Sequence, residues 1–369
     1  MRRSITRAVI LSAMLPLCSQ AATLEERVTA LENAQAVTDD AVADANHQLE
    51  YGAKISGYVD AEYRTQTDSP GTYNGFRLHH TNLMILNKFS EEWSFFSEIE
   101  FEDGTQYEIA NGVVDTGNGN IFVEKAGFDY KWKPEVTVRI GRFMTPIGIW
   151  NEDHYSPFVS TQDRPMHVEN IFPGTTNGLG IFGTVPVGSN FVKYNLYTGN
   201  GSDAPGAGDN NNNKSVGARA TFVFPSLHRL EAGVSYYKDT LNDTGIGDLD
   251  KTVTGMHFKF REGPWAVQAE YAAGKEDPLA GSQTESTGAY IQPQYTMGKW
   301  TFGYRYDLYD PDSGDSSTKT EVVDNVPYIN YRVLPNLVLK VEHHMYSYDD
   351  PATQDSSMTV FSVAAFLGS

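Results

Sequence analysis

From residue 54 onward the chain is built of segments whose hydrophobicity repeats every second residue, and the connections between them are alternately short and long. Trp93, Phe95, Ser97, Ile99 and Phe101 share one face of such a segment, while Ser94, Phe96, Glu98, Glu100 and Glu102 share the other. Trp300, Phe302, Tyr304, Tyr306 and Leu308 alternate with Thr301, Gly303, Arg305 and Asp307. Leu337, Leu339 and Val341 alternate with Val338, Lys340 and Glu342. A period of two puts one set on each side of a β-strand, so these strands are greasy on one side and wet on the other. About sixteen such segments occur, centred near residues 60, 81, 97, 126, 138, 181, 194, 219, 232, 257, 269, 290, 304, 329, 342 and 361. Tight turns such as Phe89 to Glu91, Lys133-Pro134, Pro225-Ser226 and Glu262 to Pro264 join alternate pairs. The intervening connections, 103–119, 144–176, 199–214, 238–250, 274–285, 310–321 and 347–356, are longer and dense in Asp, Asn, Gly and Ser.

That asymmetry excludes most all-β architectures. A soluble sandwich needs an apolar core and has no reason to alternate its loop lengths. Here the apolar positions must face something outside the sheet. A barrel closed in lipid has short turns at one end, long loops at the other and a polar interior, and it leaves no unpaired edge. The expected fold is therefore all-β, a transmembrane antiparallel β-barrel of about 16 strands over residues 51–369. With the short turns periplasmic, 144–176 becomes the third outside loop and the longest. Aromatics near strand ends (Tyr51, Tyr58, Trp132, Trp150, Trp265, Trp300, Tyr346 and Phe366) suggest interfacial girdles.

The first fifty residues differ. Arg2, Arg3 and Arg7 precede the apolar run Ala8 to Leu17, which is too short to span a bilayer, and Ser19-Gln20-Ala21 suits signal peptidase. Residues 1–21 are thus expected to be a signal peptide cleaved after Ala21, with an uncleaved anchor as the alternative. A lipoprotein signal wants a small residue before its cysteine, where Leu17 stands. Cleavage removes three arginines and no acids, which takes the formal charge from −19 to −22, and it removes the single cysteine. The exported chain then has no disulfide, and its acidity argues against nucleic-acid binding. Residues 22–50 place Leu24, Val28, Leu31, Gln35, Thr38, Val42, Ala45 and Leu49 on a heptad seam. Within them Arg27, Val28, Leu31 and Glu32 resemble the Arg-h-x-x-h-Glu pattern (h hydrophobic) of short trimeric coiled coils. A homotrimer is the expected assembly. A single amphipathic helix or an unfolded leader is the alternative.

Other chemistry finds little support. His79-His80 and His343-His344 are adjacent pairs, and strict alternation sends one of each inward and one outward, a poor metal spacing. The Asn-rich stretch from Asp209 lacks the ordered acids of a calcium loop. No nucleophile-elbow or nucleotide-binding glycine motif stands out, so no metal, cofactor or catalytic residue is assigned.

Two stretches carry a family likeness. Phe76 to Leu83 through Trp93-Ser94-Phe95 resembles the first hairpin of the phosphate-selective porin superfamily. Val138 to Gly148 resembles that group's fifth strand and the start of its constriction loop. Barrels of this kind end on an aromatic residue, whereas here Leu367, Gly368 and Ser369 follow Phe366. The family's phosphate-selective members rely on an arginine ladder, and no such excess is present.

The resemblance implies a water-filled channel for small hydrophilic solutes or ions, set among outer-membrane lipid and lipopolysaccharide. It also implies that the third loop folds inward. The candidate constriction residues are Glu152, Asp153, His154, Asp163, Arg164 and Glu169. Strand parity offers Arg64, Glu98, Glu100, Arg139, Lys193, Arg219 and Arg305 as wall residues, beside Asp60, Glu62, Glu135, Glu231, Lys259, Glu270, Asp307, Lys340 and Glu342. Acids facing bases would set a transverse field across the passage. The mixed wall favours a general polar-solute channel, and the net charge a mild cation preference. An outer-membrane enzyme, or a structural or adhesive barrel with a closed lumen, would share this fold. Hydrolase activity lost with one serine would mark the first, and absence of conductance the second.

Overall fold

In a computed structural model, the alternating segments become antiparallel strands that close on themselves, as lipid requires of any sheet that crosses it. The structure describes residues 52–368 apart from 69–70, 105–107, 111–112, 116–118, 202–208, 210, 228, 244–246 and 280. The signal peptide, the heptad segment with Arg27, Val28, Leu31 and Glu32, and Tyr51 lie outside the described residues. The strands are β1 (Ala53–Asp68), β2 (Gly71–Lys88), β3 (Trp93–Glu102), β4 (Glu108–Ala110), β5 (Val113–Asp115), β6 (Ile121–Lys133), β7 (Val136–Met144), β8 (Thr175–Val187) and β9 (Asn190–Gly199). They continue with β10 (Ser215–Phe224), β11 (Leu230–Asp243), β12 (Gly247–Glu262), β13 (Trp265–Pro278), β14 (Thr284–Met297), β15 (Trp300–Asp310), β16 (Val322–Leu334), β17 (Leu337–Tyr348) and β18 (Ser356–Leu367). β4 and β5 form a small hairpin in the second long loop, and the other sixteen make the barrel. Closure comes from β1 on β18, with Gly57 opposite Leu367 and Thr67 opposite Ser357. All sixteen centres read from the sequence fall inside barrel strands.

The two faces separate as the alternation requires. On β15, Phe302, Tyr304 and Tyr306 are exposed on the outside while Arg305 and Asp307 are buried within. On β17, Leu339, Val341 and Met345 face out while Lys340, Glu342 and His344 are buried. Long hairpins are the main departure. Asp243 pairs with Gly247, Leu249 with Pro278, and Asp68 with Gly71, so the connection expected at 238–250 is almost wholly strand. Polar residues fill both parities there (Lys238, Asp239, Thr240 and Asn242), so the period-two signal vanishes while the backbone ladder continues.

The aromatic girdle also needs correcting. Trp132, Trp265 and Trp300 are exposed at the short-turn end. There Trp265 faces Tyr295 across one ladder and Trp300 faces Tyr331 across another, joined at that rim by Trp93 and Tyr130. Ring centroids in these pairs are 4.6–4.8 Å apart, contacts worth about 0.2–1 kcal/mol each. Tyr58 and Trp150 are not in a girdle but are buried inside. Tyr346 packs on His344 within the lumen, and Phe366 meets Phe158 of the third loop.

Candidate functional site

The third long loop, 145–174, folds into the barrel because its own apolar residues find inward-facing partners. Ile147, Trp150, Val168, Ile171 and Phe172 form one buried cluster with Phe143, Tyr197, Tyr237, Val253, Ala272 and Tyr290 from the wall. Each such burial contributes about 1.5–3 kcal/mol relative to exposure. Gly148 makes the entry turn at φ 63°, pressed against Glu270 and Phe172, and the Ile149 amide donates to the Glu270 carboxylate. Asn151 Nδ2 donates to the Thr145 and Pro173 carbonyls at 2.7 and 2.9 Å, stapling the two ends of the loop. A short helix, α1 (Met166–Asn170), returns the chain toward β8.

Polar contacts bind the far side of the loop. The Gln162 and Asp163 amides donate to the two oxygens of Glu342 at 2.6 and 3.1 Å. Arg64 forks onto the Asp163 carboxylate at 2.5 and 3.2 Å. Burial alone would raise that carboxyl, yet Arg64 and His344 hold it below its ordinary value of 3.8. Arg305 donates to Thr161 Oγ1 and to the Asp163 carbonyl, both at 2.8 Å. The Met166 amide reaches Asp307 at 3.1 Å, and Ser156 donates to Asp60 at 2.5 Å. Tyr155 donates to Glu98 at 3.2 Å and contacts Lys125, which lies 2.7 Å from the same carboxylate.

The proposed constriction residues therefore divide by environment. His154 is buried, with Nε2 3.0 Å from Glu124, and Asp163 is tied to Arg64, so both fasten the loop to the wall. Glu152 bonds Arg219 and Asp153 bonds Lys259 (2.7 Å), and these acids keep 36 % and 67 % side-chain exposure. Arg164 is half-buried, and Glu169 is exposed on α1. Among the wall residues, Glu98, Glu100 and Arg305 are fully buried. Arg139 pairs with Asp129 at 2.7 Å and lies over the rings of Phe96 and Phe182. Lys193, half exposed, pairs with Glu231 at 3.2 Å. Glu135 departs from its assignment to the wall: it sits in the turn between β6 and β7, where its carbonyl accepts from Tyr194.

Parity failed at two bulges. The β1–β2 register slips between Asp60 and Ala61, leaving His79 as an extra residue. The β3–β6 register slips between Glu98 and Ile99, leaving Glu124 extra beside Lys125. A bulge re-aims a side chain, so the adjacent pairs His79-His80 and Glu124-Lys125 both meet lumen groups. The even split expected of His79 and His80 is overturned. His344 behaves as alternation predicts and is buried against Asp324 and Glu342. Sequence reasoning also missed Tyr155, Ser156 and Gln162, whose signal was a long loop unusually rich in apolar residues.

The pattern of the Gram-negative porin family matches residues 28–350. An uncharacterized protein of Aquifex aeolicus (strain VF5) is 33% identical over 162 residues, 43% of this chain. The match spans about a third (34%) of that relative's length. Among solved structures, the barrel is similar to an anion-selective porin from Comamonas acidovorans, with TM-score 0.65 and 11% identity over 85% of this chain and 99% of that one. It is also similar to Salmonella typhi OmpF in complex with daunomycin, with TM-score 0.58 and 14% identity over 86% and 98%. At these identities the likeness is one of fold. The family pattern, by contrast, runs through the barrel from its first strand to its penultimate one, and the chain belongs to the Gram-negative porins.

Proposed function

We propose that this chain is a passive outer-membrane channel for small hydrophilic solutes and ions. In this reading it is exported by cleavage after Ala21 and assembled as a homotrimer through residues 22–50. One observation carries the channel: a closed barrel is apolar outside and charged inside, with a long loop folded into its lumen. An apolar outer face needs lipid, with lipopolysaccharide around the loop end, and a charged inner face needs water. Loop 145–174 acts as the constriction. Glu152, Asp153 and Lys259 are its solvent-facing charges, with Arg219 set against Glu152 behind them, and Arg139, Lys193 and Glu231 line the approach from the short-turn end. His154, Asp163 and Arg305 hold the loop in place, while Arg64, Glu98 and Glu100 form the wall behind it. Arg164 and Glu169 add loop charge of opposite sign.

Lys259 stands in contact with Asp153 and Arg219 with Glu152, so each pair nearly cancels and its field on a passing ion is short-ranged. Ion selectivity is therefore weak, and polar solutes are oriented rather than selected by charge. No residue is assigned a catalytic role. Planar-bilayer recording of the purified, refolded protein tests the reading. Discrete conductance steps are expected, and a correctly folded barrel that gives none would overturn it.

A further inference from the structure

The bulge in β2 has chemical consequences. It turns His79 and His80 to the same side, with ring centroids 3.6 Å apart. Facing them is Asp60, which is fully buried. Its Oδ2 accepts from Ser156 and lies 2.9 Å from His80 Nδ1. Its Oδ1 has no hydrogen-bond partner among the described residues and lies 3.6 Å from His79 Nδ1. One donor atom from each of these three residues falls within 4.8 Å of the other two. Around an ion with bonds of about 2.0–2.2 Å, tetrahedral ligand atoms stand roughly 3.3–3.6 Å apart. Small side-chain rotations would complete the set.

We propose that Asp60, His79 and His80 form a binding site for a divalent transition-metal ion, with the ligand preference of zinc, on the lumen wall beside the third loop. Two imidazoles and a carboxylate suit zinc, copper or nickel, and are poor ligands for magnesium or calcium. His80 Nε2 faces Glu102 Oε1 at 3.7 Å, the outer carboxylate that commonly fixes the orientation of a ligating imidazole. Both signs surround the site: Glu62, Glu100 and Glu102 lie on the acidic side, and of the nearby bases Arg64, Arg77 and Arg164 the first two are engaged by Glu62, Asp163 and Asp103. Gln162 Nε2 lies 3.3 Å from His79 Nδ1, and Ser156 bonds Asp60, so the site touches the loop directly. Of the three other clusters among the described residues, that of His80, Glu100 and Glu102 shares His80 with this site, and two carry less. Glu98, Glu100 and Glu124 offer only carboxylates and are engaged by Lys125, Asn82 and His154. The cluster of Asp163, Glu342 and His344 has a single imidazole, and its Asp163 is already held by Arg64.

The test is calorimetric titration of the full chain in detergent with zinc chloride, against a background of millimolar magnesium chloride. One zinc ion per chain is expected to bind. His79→Gln and Asp60→Asn should each weaken binding at least about 10-fold, while His343→Gln, on the opposite face of β17, binds as the parent does. Should Asp60→Asn fail to fold, His79→Gln decides alone. The proposal is overturned if His79→Gln binds zinc as tightly as the parent, if magnesium competes, or if binding disappears only in His344→Gln. Calorimetry reads binding without conduction, so a failure here is distinct from a failure of the channel reading.

Discussion

Replacing Lys259 with glutamine removes one positive charge from the solvent-facing edge of the third loop and leaves Asp153 unopposed. The ammonium stands 2.7 Å from Asp153, with 33 % of its side chain and 67 % of its partner's exposed. A pair this exposed contributes about 0–1 kcal/mol, so the barrel should fold as before. The effect on ions is larger than the effect on stability. An ion passing about 7 Å from a unit charge in water interacts with it by about 0.6 kcal/mol. At 0.1 M salt, screening over about 10 Å halves this to roughly 0.3 kcal/mol. Cation occupancy then rises by about 1.7-fold and anion occupancy falls by as much, so the cation-to-anion permeability ratio grows nearly three-fold. At 0.01 M salt the screening length is about 30 Å and the same reasoning gives a shift of about five-fold. Reversal potentials across a salt gradient, at both ionic strengths, measure this. Lys214, exposed at the foot of another long loop beside Asp209, provides the control. If Lys259→Gln shifts the ratio less than about 1.5-fold at both salts, or if Lys214→Gln shifts it equally, the passage does not run along this edge.

Arg305→Ala breaks a buried ion pair and releases Thr161 and Asp163, so it should cost about 3–5 kcal/mol in urea unfolding from vesicles and give a noisier, larger conductance. An unchanged unfolding midpoint would contradict this role. Val341→Arg places a charge on the lipid face and should cost about 2–4 kcal/mol of refolding stability, measured in the same vesicles. Gly148→Val forces a branched side chain into a φ of 63° against Glu270 and Phe172 and should cost about 1–3 kcal/mol, with the loop more open to proteolysis. Arg64 and His344 hold the Asp163 carboxyl below its ordinary value of 3.8 although burial opposes them. This contact therefore contributes fully above that value and is lost as pH falls through the lower folded value. Conductance noise should stay constant from about pH 7 to about pH 4 and rise only below that. A transition centred above pH 5 in the wild type that Asp163→Asn abolishes would refute the direction.

Much of the barrel was legible because a sheet between lipid and water writes both environments into every strand. Trp300 to Leu308 shows this: each residue's side follows from its neighbours two positions away. The loop asymmetry likewise needed only the spacing of turn residues. The number of strands and the position of the long third loop were both available from such local periodicity. Where polar residues fill both parities, as toward the tip of the β11–β12 hairpin, the same signal is silent and the strands ran on unseen.

The candidate site depended on the fold closing. Gln162 and Glu342 are separated by 180 positions, and Arg64 and Asp163 by 99; nothing in either neighbourhood names the other. The bulges at His79 and Glu124 are one-residue slips in pairing, a property of two strands together and not of either sequence alone. The inward aromatics Tyr58 and Trp150 were misplaced for a related reason: an apolar residue near a strand end can face lipid or a folded-in loop, and local hydrophobicity is the same for both. Sequence alone thus determined a barrel with a wet interior, because alternation is a nearest-neighbour property. Which interior charges are clasped to the loop and which still face water was decided by tertiary structure, because distances across a lumen exist only once the sheet has closed.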